Sequence, residues 1–349
     1  MKVLVTGSGG LIGSESVRFF SAKGAEVIGI DNNKRAYFFG PMGDISKNIE
    51  SLSTIESFSN FNIDITDRHA LSKLFQENGP FDLIIHTAAQ PSHDWAKKDP
   101  QMDFNINANG TQNMLEEFRT QSPKSTFIFT STNKVYGDKP NTLPIIENEK
   151  RYDFDQNSKW ANGIDENLSI DQSTHSIFGV SKAAADLMVQ EYGRYFDLNT
   201  VVFRGGCLTG PQHAAVELHG YLAYIVNCAV NKKPYTIFGY KGKQVRDQIH
   251  SSDVVNAFWN FYKNPKKGAV YNLGGTKQNS ISILETIDLL ENSFGAKLMY
   301  SYNDQNRVGD HICYYSNMDR FKHDYPDWSL KKSLKDIIGE IVNIVSDRK

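Results

Sequence analysis

Short, almost purely apolar segments alternate with amphipathic stretches along the first 204 residues of this chain. The apolar segments, which we interpret as strands, are 2–6, 26–30, 83–86, 126–130 and 199–204. The stretches with helical spacing of apolar residues are roughly 11–23, 69–77, 101–120 and 176–196. Near-continuous apolar strands are typical of a parallel sheet that is covered on both faces. The alternation therefore predicts an α/β fold with a doubly wound parallel sheet.

The first strand leads directly into a glycine-rich turn. Gly7, Gly10 and Gly13 stand three residues apart in Gly7-Ser8-Gly9-Gly10-Leu11-Ile12-Gly13, and a helical pattern follows. Glycines at such a turn let backbone N–H groups approach a pyrophosphate at a helix N-terminus. The turn predicts a Rossmann-like dinucleotide site.

Asp31 follows the second apolar segment, at the position where a carboxylate can bind a ribose diol and repel a 2′-phosphate. This residue favours NAD over NADP. Lys34 and Arg35 come just after it and keep NADP open as an alternative.

The 349 residues suffice for two lobes. We assign residues 1–204 and about 245–275 to the Rossmann-like domain. Residues of about 205–244 and 276–349 are assigned to a smaller, mixed α/β lobe that binds the substrate. The polar segment 139–171 is interpreted as a long ordered excursion of the kind that often serves as a lid.

Composition narrows the range of partners. The 40 acidic and 38 basic residues nearly cancel, and no basic run indicates a nucleic-acid or membrane surface. The three widely spaced cysteines indicate neither a disulfide framework nor a metal site, so no metal is expected. With no signal-peptide pattern and no long apolar span, we expect a cytoplasmic location.

Further motifs make the chain similar to the extended short-chain dehydrogenases/reductases, the superfamily of nucleotide-sugar epimerases and dehydratases. The motifs are Asn62-Ile63-Asp64-Ile65, His86-Thr87-Ala88-Ala89-Gln90, Asn107-Ala108-Asn109-Gly110-Thr111 and Ser131-Thr132-Asn133-Lys134-Val135-Tyr136-Gly137-Asp138. The resemblance implies NAD as the cofactor. The cofactor-binding residues that it implies are Gly7, Gly10, Leu11, Ile12, Gly13, Asp31, Asn32, Asp64, Ile65, Thr87, Ala88, Ala89, Asn107, Thr130 and Lys182.

The same resemblance places a reactive hydroxyl at Thr132. Dehydratases of the superfamily carry an Asp–Glu pair after this threonine, whereas Asn133 and Lys134 follow it here. An amide and an ammonium do not readily replace a carboxylic acid beside a carboxylate base, which argues against dehydration.

Phe178 departs from the superfamily pattern. A tyrosine four residues before Lys182 would share its helix face, and the ammonium would lower the pKa of the phenol. Phenylalanine has no proton to transfer. Thr132, Lys182, His175, Tyr136 and Tyr152 remain open as substitutes for the missing acid/base.

Within the superfamily, the resemblance is strongest to epimerases that act at C2 of a CDP-linked hexose or deoxyhexose. These epimerases oxidise the sugar transiently to a keto-sugar and return the hydride. The substrate-binding residues that the resemblance implies are Gln90, His175, Ser176, Arg246, Arg307 and Asp310. Two alternatives stay open: a UDP-sugar 4-epimerase, and a catalytically silent protein that binds NAD and a nucleotide sugar. The helical stretches 101–120 and 176–196 correspond to those that form a four-helix bundle between subunits, which implies a homodimer.

Overall fold

The structure is a computed structural model that describes residues 1–213, 220–306 and 309–347. Its strands are β1 (Lys2–Thr6), β2 (Glu26–Ile30), β3 (Phe58–Phe61), β4 (Leu83–His86), β5 (Thr126–Thr132), β6 (Ile145–Glu147), β7 (Tyr152–Phe154), β8 (Asn199–Gly205), β9 (Cys207–Thr209), β10 (Pro234–Phe238), β11 (Val245–His250), β12 (Ala269–Leu273), β13 (Ser280–Ser282), β14 (Met299–Asn303) and β15 (Cys313–Tyr314).

The α-helices are α1 (Leu11–Ala22), α2 (Lys34–Phe39), α3 (Ser46–Leu52), α4 (Arg68–Asn78), α5 (His93–Lys98), α6 (Pro100–Phe104), α7 (Gly110–Gln121), α8 (Ile177–Tyr195), α9 (Tyr221–Val230), α10 (Ser251–Lys263), α11 (Ile283–Phe294), α12 (Asp319–Asp324) and α13 (Leu334–Asp347). A π-helical turn, Asn105–Asn109, joins α6 to α7. The predicted helix at 101–120 is therefore interrupted by a turn in which one extra residue widens the helix.

The chain divides into two compact units. The first comprises Met1–Val135, Ser176–Arg204 and Val254–Tyr271, and the second comprises Tyr136–His175, Gly205–Asp253 and Asn272–Lys349. Compared with the predicted boundaries, residues 136–175, 245–253 and 272–275 group with the second unit.

A seven-stranded sheet forms the centre of the first unit, in the order β12-β8-β5-β4-β1-β2-β3. β1 pairs in parallel with both β2 and β4, so the strand order reverses at β1. Side chains on one face, such as Leu4, Ile84 and Phe127, are buried with those of α4, α7 and α8. Side chains on the other face, such as Val5 and Ile85, are also buried. The predicted α/β class and doubly wound sheet are confirmed. Ligands of such sheets bind beyond the carboxyl ends of the strands at the switch point, here between β1 and β4.

The second unit contains mixed sheets. β11 lies antiparallel to β13 and parallel to both β15 and β9. β10 and β14 form a parallel pair, and β6 and β7 form an antiparallel pair within the polar segment. The apolar faces of α9, α11 and α13 pack together into a separate core. Among the described residues, no helix is long and apolar enough to cross a membrane.

Candidate active site

The glycine turn after β1 is as tight as its sequence requires. Gly7 has a φ of +68°, and a Cβ on it would lie 2.9 Å from the backbone nitrogen of Ala88. A Cβ on Gly13 would lie 2.0 Å from the carbonyl oxygen of Gly7. No side chain fits at either position, so α1 starts close against the turn. Its first amides, including those of Leu11 and Ile12, are at the end of the helix that favours anions.

Asp31 lies directly after β2, beside this turn. Its Oδ2 accepts a hydrogen bond from the Gly9 amide at 3.0 Å, and its Oδ1 accepts one from the Asn33 amide at 2.9 Å. Burial raises the pKa of Asp31, while these amides and Arg35 oppose the rise. Two backbone amides therefore fix the orientation of the carboxylate that the sequence assigns to the ribose.

The Asp64 carboxylate accepts hydrogen bonds from side chains that follow Asp31. Its Oδ2 accepts hydrogen bonds from Asn32 Nδ2 at 3.1 Å and from Lys34 Nζ at 2.9 Å. The neighbouring Ile65 is buried. Lys34 is one of the two basic residues for which NADP was considered as an alternative cofactor. In the structure its ammonium is paired with the carboxylate of Asp64.

The carboxyl end of β4 is bound to β1 through side chains. Thr87 Oγ1 donates to the Thr6 carbonyl at 2.7 Å, and the Ala88 amide donates to Thr6 Oγ1 at 3.2 Å. His86 is fully buried between Thr6 Oγ1 at 2.6 Å and Thr111 Oγ1 at 3.0 Å. Burial, with Lys182 adding to the effect, lowers the pKa of His86 to about 3, so this ring is neutral and structural.

A buried polar network lies beyond β4 and was only partly predicted. Asn107 Nδ2 donates to the Gln90 carbonyl, to Asp103 Oδ1 and to Ser181 Oγ at 3.0–3.1 Å. Gln90 Nε2 donates to Asp103 Oδ1 at 2.7 Å. Asp103 is fully buried, and burial raises its pKa. Gln90 and Asn107 were identified from motifs, whereas Asp103 was missed. Its position one turn before Asn107 was the available signal.

Lys182 lies at the centre of the site on α8. The helix begins after Ser176, whose Oγ accepts a hydrogen bond from the Gly179 amide. Lys182 Nζ donates to the Thr130 carbonyl at 2.8 Å and lies 4.2 Å from the centre of the Phe129 ring. Burial lowers the pKa of Lys182 to about 7, against the opposing charges of Asp186 and Asp103. The ammonium is thus close to its titration point at neutral pH.

Asp186, one turn after Lys182, belongs to a buried ion pair. Arg204 Nε and Nη2 donate to its two carboxylate oxygens at 3.0 Å each. Ser131 Oγ and Gln190 Nε2 donate to the same carboxylate at 2.7 and 2.6 Å. This forked pair ties α8 to β8 and β5, and so fixes the helix that carries Lys182.

Thr132 ends β5, and a short turn holds the two residues that follow. The Lys134 amide donates to Thr132 Oγ1 at 3.2 Å, and Thr132 Oγ1 lies 3.5 Å from Asn133 Oδ1. Asn133 is buried and Lys134 is half-buried. The carboxylic acid and carboxylate that a dehydratase needs here are replaced by an amide and an amine.

Phe178 lies one turn before Lys182 and is buried. Its ring contacts the imidazole of His93, with 4.8 Å between the ring centres and 56° between the planes. No sequence motif singled out His93. It begins α5, and its proximity to Phe178 depends on the packing of α5 against α8.

The second unit contains three of the predicted substrate residues. Arg246 Nη2 lies 3.8 Å from Asp310 Oδ1, and Arg246 Nη1 donates to the Val245 carbonyl at 2.8 Å. His175 Nδ1 lies 3.1 Å from the Ser173 carbonyl oxygen. Arg307 lies outside the described residues. The roles of these residues in substrate binding stay predictions.

The first unit presents a donor set that suits a dinucleotide. Glycine amides at a helix N-terminus suit a pyrophosphate, Asp31 suits a ribose diol, and Lys182 lies at the carboxyl edge of the sheet. Within the described ranges, no group of three or more His, Cys, Asp and Glu side chains is arranged to hold a metal ion.

Residues 3–274 match the model of the NAD dependent epimerase/dehydratase family. The chain belongs to this family. The prediction of NAD as the cofactor is thereby confirmed, and so is the resemblance to nucleotide-sugar epimerases and dehydratases.

Individual relatives divide between the two activities in the family name. The chain is 34% identical over 353 residues to CDP-paratose 2-epimerase of Salmonella typhi, covering 99% of both proteins. It is 30% identical over 304 residues to dTDP-glucose 4,6-dehydratase of Shigella flexneri, covering 83% of this chain and 77% of that protein.

A similar solved structure is a tyrosine-to-phenylalanine mutant of UDP-glucuronic acid 4-epimerase from Bacillus cereus, in complex with UDP-4-deoxy-4-fluoro-glucuronic acid and NAD. The TM-score is 0.80 at 26% identity, with 100% of both chains covered.

Proposed function

We propose that this protein is an NAD-dependent nucleotide-sugar epimerase that inverts C2 of a CDP-linked hexose or deoxyhexose. The observation that carries the choice of epimerase over dehydratase is the turn after Thr132, where Asn133 and Lys134 replace a carboxylic acid and a carboxylate. The choice of CDP and of C2 rests on the full-length similarity to CDP-paratose 2-epimerase.

Elimination of water needs one group that removes a carbon-bound proton and another that protonates the leaving hydroxyl. Asn133 can do neither, because an amide does not titrate in the useful range. Epimerisation by transient oxidation needs no such pair. It requires a bound nicotinamide, a group that takes and returns one hydroxyl proton, and room for the keto-sugar to present its other face.

When bound, NAD would accept a hydride from the sugar carbon and return it to the opposite face. The residues of this chain would hold the reacting partners in place. Thr132 Oγ1, which the Lys134 amide orients, would hydrogen-bond the reacting hydroxyl of the sugar. Lys182, fixed on the Thr130 carbonyl, would bind the nicotinamide ribose. In the second unit, Arg246 would bind the diphosphate and Asp310 the nucleoside ribose.

The test uses CDP-hexoses that carry deuterium at C2. The expected product is the C2 epimer with deuterium retained at C2, because the hydride is removed and returned within one active site. Loss of deuterium to solvent would indicate proton abstraction instead of hydride transfer. If the NAD-bound protein neither binds CDP-hexoses nor changes any of them, the proposal is wrong.

A UDP-sugar 4-epimerase is the second candidate, since a UDP-glucuronic acid 4-epimerase has the same fold over its full length. Inversion of a UDP-hexose at C4, with CDP-hexoses left unchanged, would establish it.

Because of Phe178, a catalytically silent protein that binds NAD and a nucleotide sugar is a further candidate. The tyrosine-to-phenylalanine mutant of the Bacillus cereus UDP-glucuronic acid 4-epimerase binds both NAD and a UDP-sugar analogue in its solved structure. Binding of both ligands here without turnover would favour the silent protein.

We also propose a homodimer formed through α7 and α8. Ile177, Val180 and Leu187 are exposed on one face of α8, and Val180 and Leu187 are each 47% exposed. Leu187→Glu should convert a dimer to a monomer in sedimentation at micromolar concentration, because the charge would be buried at the interface. Lys73→Glu, on the exposed part of α4, is the control. A monomeric parent protein would contradict the proposal.

A further inference from the structure

The side chain in ring contact with Phe178 is itself able to transfer a proton. His93 lies 4.8 Å from Phe178, ring centre to ring centre, and is half-buried, with its Nδ1 enclosed in the protein. We infer that His93 is the acid/base of the epimerisation, in place of the tyrosine hydroxyl that Phe178 lacks. The inference rests on the proposed function and adds to it the residue that carries the proton.

The position of His93 meets the geometric requirement for this role. Phe178 occupies the place of the tyrosine by its spacing from Lys182. A ring separation of 4.8 Å is at the close end of the range for packed aromatic rings. The imidazole therefore lies beside the space where a phenol would act. It also follows the carboxyl end of β4, next to the switch point of the sheet, where the nicotinamide of such folds is bound.

The residues around His93 fix its backbone. Ser92 Oγ accepts a hydrogen bond from the Trp95 amide and caps α5. Gln90 brackets Ser92, because its Nε2 donates to the Ser92 carbonyl at 2.9 Å and its Oε1 accepts from the Ser92 amide at 2.5 Å. Trp95 Nε1 donates to the Phe38 carbonyl at 2.5 Å. A side chain on such a fixed segment is held in position, as a proton-transfer group must be.

Three other titratable groups of this unit are less suited. Lys182 is buried, and its Nζ already donates to the Thr130 carbonyl. Asp103 is fully buried beneath Gln90 and Asn107, which bond its Oδ1. His86 is enclosed between two threonine hydroxyls. Of these groups, only His93 combines partial exposure with contact to Phe178.

The proton transfer balances over one cycle. In the first half, an imidazole nitrogen of His93 would take the proton of the sugar hydroxyl as the carbonyl forms, and NAD, when bound, would supply the hydride acceptor. In the second half, the imidazolium would give its proton back to the oxygen as the hydride is returned to the opposite face of the carbon. The protein and the cofactor end as they began.

Charged residues stand on α5 and on the elements packed against it. Asp94, Lys97 and Lys98 are on α5 itself. The elements packed against α5 contribute further charges: Lys34 and Arg35 on α2, Asp99 and Asp103 at α6, and Lys182, Asp186, Glu191 and Arg194 on α8. An imidazole must be neutral to accept the hydroxyl proton, so activity should fall at low pH, where that imidazole becomes protonated.

The experiment compares the parent with His93→Gln, His93→Phe and the double variant His93→Gln/Phe178→Tyr. His69→Gln, on the exposed start of α4, is the matched control. We expect kcat for the epimerisation to fall about 10²–10⁴-fold in both single His93 variants. The Kd values for NAD and for the CDP-hexose should stay within a few-fold of the parent values. The double variant should recover activity, with a pH profile set by a phenol, and His69→Gln should match the parent.

A second measurement does not depend on turnover. In protein labelled with ¹³C-histidine, the NMR signal that disappears in His93→Gln should shift and change its apparent pKa when the CDP-hexose binds the NAD-loaded protein. An unchanged signal would overturn the inference. So would parent-like kcat in His93→Gln, and that result would leave the proposed epimerase intact. A parent that binds both ligands and turns over no nucleotide sugar would instead refute the proposed function, and the inference with it.

Discussion

Asp31→Asn tests most sharply how this site selects its cofactor. The carboxylate accepts hydrogen bonds from the Gly9 and Asn33 amides at 3.0 and 2.9 Å, so its oxygens are fixed where a ribose diol would bind. Hydrogen bonds to a charged group contribute about 1.5–3 kcal/mol, which corresponds to a roughly 10–150-fold weaker Kd for NAD in the variant. NADP should bind more tightly than in the parent, because the repulsion of its 2′-phosphate is removed while Arg35 remains nearby.

The assay is isothermal titration of both cofactors at one fixed ionic strength. Asp44→Asn is the matched control, since Asp44 is an exposed carboxylate that bonds Asn33 in the same loop and should leave both affinities unchanged. Burial raises the pKa of Asp31, so NAD affinity of the parent should begin to fall at a higher pH than it would with an ordinary aspartate. If the ratio of the two affinities in Asp31→Asn stays within twofold of the parent ratio, the reasoning is wrong.

Three further substitutions test the elements that hold the site together. Burial lowers the pKa of Lys182 from 10.5 to about 7. Between these pH values the unfolded chain binds more protons than the folded one, so the free energy of unfolding should rise with pH. In urea unfolding, Lys182→Met should remove up to about 5 kcal/mol of this rise. An unchanged slope would mean that Lys182 is not buried as described. Arg204→Met leaves the carboxylate of Asp186 buried and unpaired, and should lower the free energy of unfolding by about 3–5 kcal/mol. The double variant Arg204→Met/Asp186→Leu should lower it much less. Equal decreases in the two variants would refute the ion pair. Gly13→Ala should abolish NAD binding, since its Cβ would meet the Gly7 carbonyl at 2.0 Å, and parent-like titration would contradict that account.

The sheet was predictable because its strands are buried on both faces. β1, β2 and β4 begin and end where the apolar runs do, and such runs leave little choice of structure. The prediction of one helix at 101–120 missed the π turn Asn105–Asn109, because the spacing of apolar residues does not reveal one added residue. That turn lies where Asn107 bonds Gln90 and Ser181, and these contacts depend on the tertiary fold.

The residues of the candidate site also form two groups: those that could be predicted from the sequence and those that could not. Gly7 and Gly13 could be identified because backbone geometry excludes a Cβ at these positions. Asp31 could be identified because a carboxylate at that distance from the glycine turn suits a ribose diol. Asp103 and His93 could not. Both lie in the segment that leads from β4 to α7, and their importance arises from packing against α8, which is distant in sequence.

The central claim is that a redox site operates here without the tyrosine hydroxyl. It is tested most directly by mixing NAD-loaded protein with a CDP-hexose that carries deuterium at C2 and following the absorbance of the nicotinamide. The account predicts that a fraction of the nicotinamide becomes reduced, more slowly with deuterium than with hydrogen, and that the label appears on the nicotinamide ring. Bound sugar nucleotide and bound NAD with no reduction of the nicotinamide, for every nucleotide sugar tried, would contradict it.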